Sequence, residues 1–394
     1  MRRVLVTGLG AVSPFGAGVK AYWTGLAAGA CAIRPATLIE TDGFRCGIAA
    51  EVPDGVVGSS RRSRADRLAF AAAREALDDA GLVAADRRDT ALIVGAVGGG
   101  MLEAEAWHWT RRGRPVRGAA RLGAMRSILP SAHAESLGSR LKLGGPRESL
   151  VTACSSGAAA LAVAAELVAA GAVDMAVAGG ADALTRICYM GFNALKLLDS
   201  APCRPFDRDR KGMSIGEGAA FVVLEAAEHA RARGARGYAE LAGAAMTTDA
   251  HHVTAPHPDG DGMARAMRAA LAQGRVAPGD VGYVNAHGTA TLQNDRIEAA
   301  ALRAVFGEGR VLVSSTKSMI GHTMAAAGSL EALATVLALV HGLVPPTAQH
   351  EHTDPDVPFD CVPRLAREAS VGHAISNSFG FGGQNVTLLF GARA

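Results

Sequence analysis

The sequence predicts an α/β fold, and three observations carry this prediction. Short runs of apolar and β-branched residues alternate with longer, alanine-rich stretches that suit helices. The short runs are apolar at nearly every position, as expected of strands in a sheet that is covered on both faces. The 394-residue chain is 49% hydrophobic and 20% charged, which is typical of a folded protein with a large buried core.

Six segments are the clearest predicted strands. They read RVLVTG (3–8), ALIVGAV (91–97), MAVAGG (175–180), AAFVVLE (219–225), VGYVNA (281–286) and VLVSST (311–316). Residues 64–80 are a representative predicted helix, because small and apolar residues recur along one of its faces.

The order of these elements is repeated along the chain. Residues 74–96 and 268–288 both read as helix, turn and strand, whereas residues 151–171 and 313–342 both read as strand, polar turn and long helix. We therefore expect a duplicated fold with an N-terminal half, residues 1–232, and a C-terminal half, residues 233–394. Alanine-rich helices also resemble each other by chance, so the sequence repeat alone does not establish a duplication.

Charge and cysteine content bear on the kind of protein. The net charge of +3 is too small to indicate nucleic-acid binding. The six cysteines are scattered without zinc-type spacing, which favours reduced thiols and no metal site. We see neither a signal peptide nor an apolar run of about 20 residues that would span a membrane. We therefore expect a cytoplasmic protein that binds neither membrane nor nucleic acid.

Cys154 lies in VTACSSGA, between a β-prone run and a helix expected to begin near residue 155. A strand, a nucleophile and a helix in this order form a nucleophile elbow. The positive end of the helix dipole would favour the thiolate, and the free N–H groups there could stabilise an oxyanion. Taken alone, however, a buried structural cysteine is the commoner case.

Three further polar turns follow predicted buried strands. VNAHGTATLQND contains His287, SSTKSMIGHTM contains Lys317 and His322, and SNSFGFGGQN (376–385) is a glycine-rich loop. Each could be an ordinary structural turn. Together with Cys154, however, they lie where α/β sheets bind their ligands, at the carboxyl ends of strands.

These motifs resemble the β-ketoacyl-acyl-carrier-protein synthases, in the elongating class with a Cys-His-His set. The resemblance rests on TACSSG, HGTAT..ND, STKSMIGH...AAG and NSFGFGG, with GLGAVSPFG near the start and CRPFDRDRKGMSIGEGAAFVVLE at 203–225. It covers essentially the whole chain. It implies the thiolase-like fold, in which two duplicated α/β halves form a layered α-β-α-β-α sandwich.

The resemblance also implies the catalytic roles. Cys154 would accept an acyl group, and His287 and His322 would face a malonyl thioester. Lys317 would orient His322 through a carboxylate, for which Glu331 is the matching candidate. The backbone N–H groups of Cys154 and Phe381 would hold the oxyanion.

Binding and gating roles follow from the same resemblance. Thr289 and Thr291 match hydroxyls that bond the phosphopantetheine arm, and Phe379 and Phe381 match gating aromatics that face a loop at 247–256. Ordinary core packing is the alternative for the phenylalanines. No cofactor is expected, although four residues resemble a structural monovalent-cation site of the family. These residues are Asn285, Glu331, Ser376 and Asn377.

The chain departs from the family pattern at Ala290, where HGTGT usually has a second glycine; the methyl group there could shift the pantetheine-binding turn. Two basic runs are candidates for docking an acidic acyl carrier protein by charge steering, with a solvated surface as the alternative. The candidate docking residues are Arg61, Arg62, Arg64, Arg67, Arg121 and Arg126.

Three functions remain open: a condensing enzyme of fatty acid synthesis, a dedicated polyketide or polyene ketosynthase, and a chain-length-setting subunit that does not condense. Subunits of the third kind lack the active cysteine, whereas this chain has Cys154. The substrates implied are acyl and malonyl thioesters on a phosphopantetheine-bearing carrier. The resemblance also implies a dimer, with an identical chain or a related one.

Overall fold

The computed structural model describes residues 1–58, 60–113, 126–309 and 311–393. The strands are β1 (Val4–Ser13), β2 (Gly16–Ala17), β3 (Arg34–Pro35), β4 (Ile48–Ala50), β5 (Ala91–Gly95), β6 (Arg147–Leu150), β7 (Met175–Asp182), β8 (Ile215–Gly216), β9 (Gly218–Ala226), β10 (Ala239–Thr248), β11 (Val281–Asn285), β12 (Leu312–Ser314), β13 (Leu343–Val344), β14 (Arg367–Glu368), β15 (His373–Gly380) and β16 (Gln384–Ala392).

The helices are α1 (Val19–Ala27), α2 (Arg64–Asp79), α3 (Met101–Arg111), α4 (Ser131–Leu141), α5 (Ser156–Ala169), α6 (Arg186–Ala194), α7 (Ala227–Ala232), α8 (Asp261–Gly274), α9 (Leu292–Phe306), α10 (Lys317–Ile320) and α11 (Ala327–His341). Short 3-10 helices at Ala153–Ser155 and Met324–Ala326 lead directly into α5 and α11.

The main sheet has eleven strands: ten of them form two sets of five with the same order, and β2 pairs with the end of β1. The first set runs β1-β9-β7-β5-β6 and the second runs β10-β16-β15-β11-β12, so each begins with its first strand in the chain, followed by the fifth, fourth, second and third. The parallel and antiparallel pairings also correspond between the sets. The sets are joined where β1 pairs with β10. A repeated strand order is independent support for a duplicated fold.

The two sets enclose a central helical layer. Helices α5 and α11 contact strands of both sets, whereas α2 packs on β1, β7 and β9, and α8 packs on β10 and β16. Most residues of α5 and α11 are buried, and their alanine, glycine and serine residues allow close packing between two sheets. The resulting order of layers is the α-β-α-β-α sandwich expected from the sequence.

Among the described residues, one helical segment is long and apolar enough to cross a membrane. It runs from Met324 to His341, and 83% of it is buried inside the protein. Burial in the central layer explains its apolar composition, because it has core on nearly every side.

This architecture brings the polar turns together. Strand β6 leads into α5, and β12 leads into α10 and then α11. The HGTAT turn follows β11, and the glycine-rich loop lies at the end of β15. Since β11, β12 and β15 are parallel neighbours, their carboxyl ends lie at the same edge of the sheet. The 3-10 helix Ala153–Ser155, which leads into α5, packs against that edge through contacts with β15.

Candidate active site

Cys154 lies in a tight turn at the start of a central helix. It occupies the middle of the 3-10 helix Ala153–Ser155, and its side chain is buried, with 5% of the residue exposed. Ala153, the residue before it, has a left-handed backbone with φ of 51°. Strain in a residue next to a nucleophile is common at functional turns, because the backbone must turn sharply to present the side chain.

The glycine-rich loop places a second N–H group beside the thiol. Gly380 packs against the turn that contains Cys154. A Cβ atom on residue 380 would lie 2.9 Å from the carbonyl oxygen of Thr152 and 3.3 Å from the amide nitrogen of Cys154. Only glycine allows this approach. The N–H groups of Phe381 and Cys154 both point towards the thiol. A pair of converging N–H groups is the arrangement that holds an oxyanion.

The ionisation of Cys154 differs from the expectation drawn from the helix dipole. Burial raises the pKa of the thiol to about 11, which outweighs the opposing effects of Lys317 and of the Phe381 and Cys154 amides. The nearby charge and N–H groups do favour the thiolate, but the desolvation cost of the buried thiolate is larger. In the resting protein the thiol keeps its proton at neutral pH.

His322 presents a hydrogen-bond donor to the cavity. Its Nδ1 accepts the backbone N–H of Met324 at 3.2 Å, so the proton of the neutral ring lies on Nε2. Nε2 is buried without a hydrogen-bond partner among the described residues. Burial, followed by the charge of Lys317, lowers the pKa of His322 well below its usual value. The ring is therefore neutral, with its donor unsatisfied.

His287 has the same tautomer for a different reason. Nζ of Lys317 lies 3.3 Å from its Nδ1, and an ammonium group can only donate. Burial, followed by the charges of Lys317 and His322, lowers the pKa of His287 well below its usual value. The two histidine rings are 5.5 Å apart between centroids and nearly perpendicular, at 88°. The site thus holds two neutral imidazoles side by side.

Lys317 acts on His287 and not through a carboxylate on His322. Its ammonium group donates to the carbonyl oxygen of His287 at 2.6 Å as well as to Nδ1, and it forms a buried ion pair with Glu331. The predicted link from Lys317 to Glu331 is present, but the histidine at its other end is His287. The influence of Lys317 on His322 is electrostatic only.

Sequence reasoning missed Glu298, which holds the His287 turn in place. Its two carboxylate oxygens accept the N–H groups of His287 and Gly288, each at 2.8 Å. Burial raises its pKa to about 7. Asp295 and Glu298 are one turn apart near the start of α9, on its buried side. Two acidic residues on an apolar helix face directly after the HGTAT turn were the available signal.

Part of the suggested cation site fits a cation. Oδ1 of Asn285, Oγ of Ser376 and Oε2 of Glu331 are buried without a hydrogen-bond partner in the described part of the chain. Asn285 and Ser376 are also register partners on β11 and β15. Oxygen atoms of this kind suit a hard cation. Asn377 does not fit, because its Oδ1 accepts from Thr387 at 2.8 Å.

A cavity of about 300 Å³ connects Cys154, His287 and His322 with the surface. Thr289 and Thr291 line it, and their hydroxyl oxygens lie 3.0 Å apart. Thr291 also caps α9 by accepting the N–H of Asn294. Both predicted hydroxyls therefore lie on the route that a thioester arm would take to the thiol.

The two phenylalanines of the glycine-rich loop also line this cavity. Phe379 is buried, with its ring 6.0 Å from that of His287, whereas the half-buried Phe381 packs against Phe192 at 5.7 Å. The loop at 247–256 faces them, since the N–H of Gly382 donates to the carbonyl of Val253 at 2.9 Å. The predicted pairing of these two loops is present.

Ala290 adopts the backbone conformation that the missing glycine would favour. Its φ is 65°, in the left-handed region, and its methyl group is buried beside Ile33, Ala50 and Cys203. Its N–H donates to Asp295 at 3.1 Å. The chain therefore makes this left-handed turn with a non-glycine residue, at a cost of about 1–2 kcal/mol of backbone strain.

The structure removes Arg64 from the candidate docking residues. Its guanidinium is buried in an ion pair with Glu217, and the carbonyl oxygen of Val52 accepts a further hydrogen bond from it. The prediction was wrong because Arg64 begins α2 with its side chain directed into the core. Arg67 is half-buried and donates to the carbonyl of Gly58.

The remaining docking candidates differ in their placement. Arg61, Arg62 and Arg126 are exposed, and Arg62 donates to the hydroxyl of Ser136 at 3.1 Å. Arg121 lies outside the described residues. Exposed guanidinium groups therefore remain at the start of α2 and before α4.

Comparisons with known proteins agree with this geometry. The family models for the N-terminal and C-terminal domains of β-ketoacyl synthases match residues 1–230 and 238–351. The 3-oxoacyl-[acyl-carrier-protein] synthase 2 of Rhizobium meliloti (strain 1021) is 39% identical, over 99% of this chain and 98% of its own. A putative polyketide β-ketoacyl synthase 1 of Streptomyces cyaneus is also 39% identical, with the same two coverages.

Solved structures show the same relationship. A structure described as the ishigamide ketosynthase/chain length factor superposes with a TM-score of 0.94 at 38% identity, over 100% of both chains. The likeness in sequence and structure therefore extends over the whole chain. Together with the thiol, the two imidazoles and the glycine-rich loop, it establishes that this chain belongs to the β-ketoacyl synthase family.

Proposed function

We propose that this chain is a β-ketoacyl-acyl-carrier-protein synthase, an acyltransferase that joins an acyl group to malonyl thioester with loss of CO₂. The observation that carries the proposal is the pair of neutral imidazoles, whose Nε2–H donors share one cavity with the Cys154 thiol. Such donors stabilise an enolate oxygen through hydrogen bonds that are already oriented.

The first half-reaction loads Cys154. Its sulfur attacks the carbonyl carbon of an acyl thioester, and the N–H groups of Cys154 and Phe381 stabilise the resulting oxyanion. The carbon–sulfur bond to the carrier arm then breaks, and the carrier thiol leaves with the proton lost by Cys154. The nearby charge of Lys317 favours the thiolate as it forms.

The second half-reaction makes the carbon–carbon bond. The bond between the malonyl methylene carbon and its carboxylate breaks and releases CO₂, and the electron pair becomes an enolate. His287 and His322 donate to the enolate oxygen, and the enolate carbon attacks the acyl group on Cys154. The carbon–sulfur bond to Cys154 breaks and the sulfur leaves as a thiolate, which takes up one proton from solvent to regenerate the thiol.

The partner we propose is an acyl carrier protein that bears phosphopantetheine. Thr289 and Thr291 would bond the arm, Phe379 and Phe381 would gate the cavity, and exposed arginines such as Arg62 would attract the acidic carrier. We also propose a dimer with an identical or related chain, and a cytoplasmic location. The related structure named as a ketosynthase/chain length factor supports the possibility of a related partner chain.

Two structural assignments belong to the same proposal. The repeated strand order supports a division into halves 1–232 and 233–394, the first carrying Cys154 and the second both histidines. The unpaired oxygens of Asn285, Ser376 and Glu331 support a monovalent cation beneath the His287 turn. Such a cation would be held by these oxygens and would take no part in the reaction.

The pathway has two candidates, fatty acid synthesis and a dedicated polyketide or polyene pathway. Relatives named for each are equally similar, at 39% identity. A chain-length-setting role without condensation is the remaining alternative, and the complete set of Cys154, His287 and His322 argues against it.

One experiment tests the activity and separates the pathways. The protein is incubated with a panel of saturated, unsaturated and aromatic acyl carriers, and the mass gained by Cys154 is measured before malonyl carrier is added. We expect acylation followed by release of a β-ketoacyl carrier, and neither step in Cys154→Ala. Preference for saturated chains supports fatty acid synthesis, whereas preference for unsaturated or aromatic chains supports the dedicated pathway. Full condensing activity in Cys154→Ala contradicts the proposal.

A further inference from the structure

Two lysines stand at the outer rim of the catalytic cavity. Lys196 and Lys211 line the same cavity as Cys154 and are both exposed to solvent. The chain contains 40 lysine and arginine residues together, of which only Lys20, Lys142, Lys196, Lys211 and Lys317 are lysines. Two of these five residues therefore meet at one edge of the active-site cavity.

The backbone holds these two lysines next to each other. The N–H of Met213 donates to the carbonyl of Leu197 at 2.8 Å, and the N–H of Asp199 donates to the carbonyl of Met213 at 3.1 Å. Between them, Gly212 packs so closely that a Cβ atom would lie 2.5 Å from the carbonyl oxygen of Leu197. Lys196 and Lys211 thus precede two segments that are bonded side by side.

Lys196 occupies a position that usually belongs to glycine. It follows the end of α6 with φ of 59°, its N–H donates to Asn193, and the next N–H, of Leu197, donates to Phe192. This is the Schellman arrangement, in which the left-handed residue is most often glycine. A lysine here is strained, and strain of this kind clusters at ligand-binding positions.

No acidic group in the described residues pairs with either lysine. Asp249 lines the cavity, but its carboxylate is already bonded to the side chain of Asn385 at 2.7 Å and to the N–H of His257 at 3.0 Å. Two like charges held together without a counter-ion repel each other, and a bound anion would relieve that repulsion.

We propose that Lys196 and Lys211 bind the phosphate group of the phosphopantetheine arm as it enters the cavity. Lysine suits this role, since its ammonium group is a compact point charge that binds phosphate without demanding a fixed fork geometry. The inference rests on the proposed function, because it places the arm in the cavity that leads to Cys154. It adds an anchor for the arm at the end away from the reacting thioester.

The test compares acyl-phosphopantetheine with acyl-pantetheine, which lacks the phosphate, as donors to Cys154. The ratio of their kcat/KM values for acylation is measured by intact mass. We expect the parent protein to prefer the phosphorylated donor by roughly tenfold, the size of one charge-assisted contact at a partly exposed site. Lys211→Ala and Lys196→Gly should each lower that ratio several-fold, and the double variant should bring it close to one.

The Lys196→Gly variant distinguishes a loss of phosphate binding from a loss of folding stability. Glycine is favoured at this left-handed position, so the variant should be at least as stable as the parent while its phosphate preference falls. Lys142 is the matched control: it ends α4 with the same φ of 59° and does not line the catalytic cavity. Lys142→Gly should leave the ratio unchanged.

Acyl carrier protein is included as a third donor. Three outcomes overturn the proposal: an unchanged ratio in the double variant, an equal fall in Lys142→Gly, or a loss of acylation that is confined to the carrier-bound donor. The last would assign the lysines to carboxylates of the carrier and not to phosphate. Failure of the proposed function looks different, since neither donor would then acylate Cys154 in the parent protein.

Discussion

Nζ of Lys317 lies 3.3 Å from Nδ1 of His287, and this contact determines which ring nitrogen of His287 carries its proton. Because ammonium cannot accept a hydrogen bond, the imidazole must accept at Nδ1 and donate at Nε2. Glu331 anchors the same ammonium group from the other side. A buried ion pair thus fixes the direction in which a catalytic donor points.

Removing Lys317 should destabilise the protein in a pH-dependent way. Lys317→Met leaves Glu331 as an unpaired buried carboxylate, which we expect to lower the free energy of unfolding by about 3–5 kcal/mol at pH 8. Burial already raises the pKa of Glu331 to about 7, and losing Lys317 raises it further. A carboxyl whose folded pKa is raised favours the folded state at low pH, so this loss should shrink towards pH 5.5.

Urea unfolding at both pH values measures this effect. Lys317→Met combined with Glu331→Gln is the control, because it removes both charges and should recover part of the stability at pH 8. A loss that is the same at pH 5.5 and pH 8 would contradict the assignment of the effect to Glu331.

The two histidines should be needed for condensation and not for loading. His287→Ala and His322→Ala each remove one Nε2–H donor, so condensation with malonyl carrier should fall by about 10²–10³-fold. Acylation of Cys154 should continue in both variants, because its oxyanion is held by the Cys154 and Phe381 amides. Single-turnover measurements of each half-reaction separate the two effects, and an equal loss in both steps would argue against this division.

The raised pKa of Cys154 should appear in its reactivity towards iodoacetamide. With a pKa of about 11, the thiolate fraction and hence the alkylation rate should increase about tenfold per pH unit between pH 7 and 10. The rate is followed by intact mass, with Cys154→Ala to identify the other cysteines. A plateau near pH 8 would mean that the positive groups around the thiol outweigh its burial.

Ala290 should tolerate glycine and reject larger residues. Ala290→Gly relieves about 1–2 kcal/mol of left-handed strain but loses about 0.8 kcal/mol of methyl burial and gains unfolded-chain entropy, so stability should change by less than about 1 kcal/mol. Ala290→Val should cost more than about 3 kcal/mol, because a β-branched residue is incompatible with this buried turn. Thermal unfolding of both variants checks this; a stable valine variant would show that the turn can rearrange.

Substitutions of Arg64 and Arg62 should distinguish a residue that stabilises the fold from one that docks the carrier. Arg64→Ala should lower the free energy of unfolding by about 3–5 kcal/mol, because it leaves the buried carboxylate of Glu217 without its ion-pair partner. Arg62→Glu should leave stability nearly unchanged but raise the KM for acyl carrier, with a smaller effect at high salt. An unchanged KM in Arg62→Glu would remove the segment that precedes α2 from the docking surface.

The six strands that sequence reasoning identified, β1, β5, β7, β9, β11 and β12, are short runs that are apolar at nearly every position. It missed β6, RESL, because an edge strand needs no apolar face, and β10, AELAGAAMTT, because alanine and glycine favour strands weakly. Strand β10 forms through its long pairing with β16. The buried strands β15 and β16 were not among the predicted strands either, and both contain polar residues. Local pattern thus predicts continuously apolar strands better than strands of mixed composition.

The same limit applies to the site. Cys154, His287 and His322 could be predicted because each lies in a turn with its own motif. The histidine that Lys317 contacts, and the burial of Arg64, depend on how separate elements pack. Glu217, for example, is 153 positions from Arg64 along the chain, so no local sequence pattern predicts their ion pair.

The two turns that lead into the central helices have the same backbone and different chemistry. Ala153 begins one with φ of 51°, and Met324 begins the other with φ of 55°. Cys154 follows in the first, but Ala325 follows in the second, and its N–H is already bonded to Asp182 at 2.9 Å. If Ala325 were replaced by cysteine, the N–H group of that residue would already be bonded to the Asp182 carboxylate, and this carboxylate would repel an oxyanion. The molecule is symmetric in architecture but has room for a single acyl group.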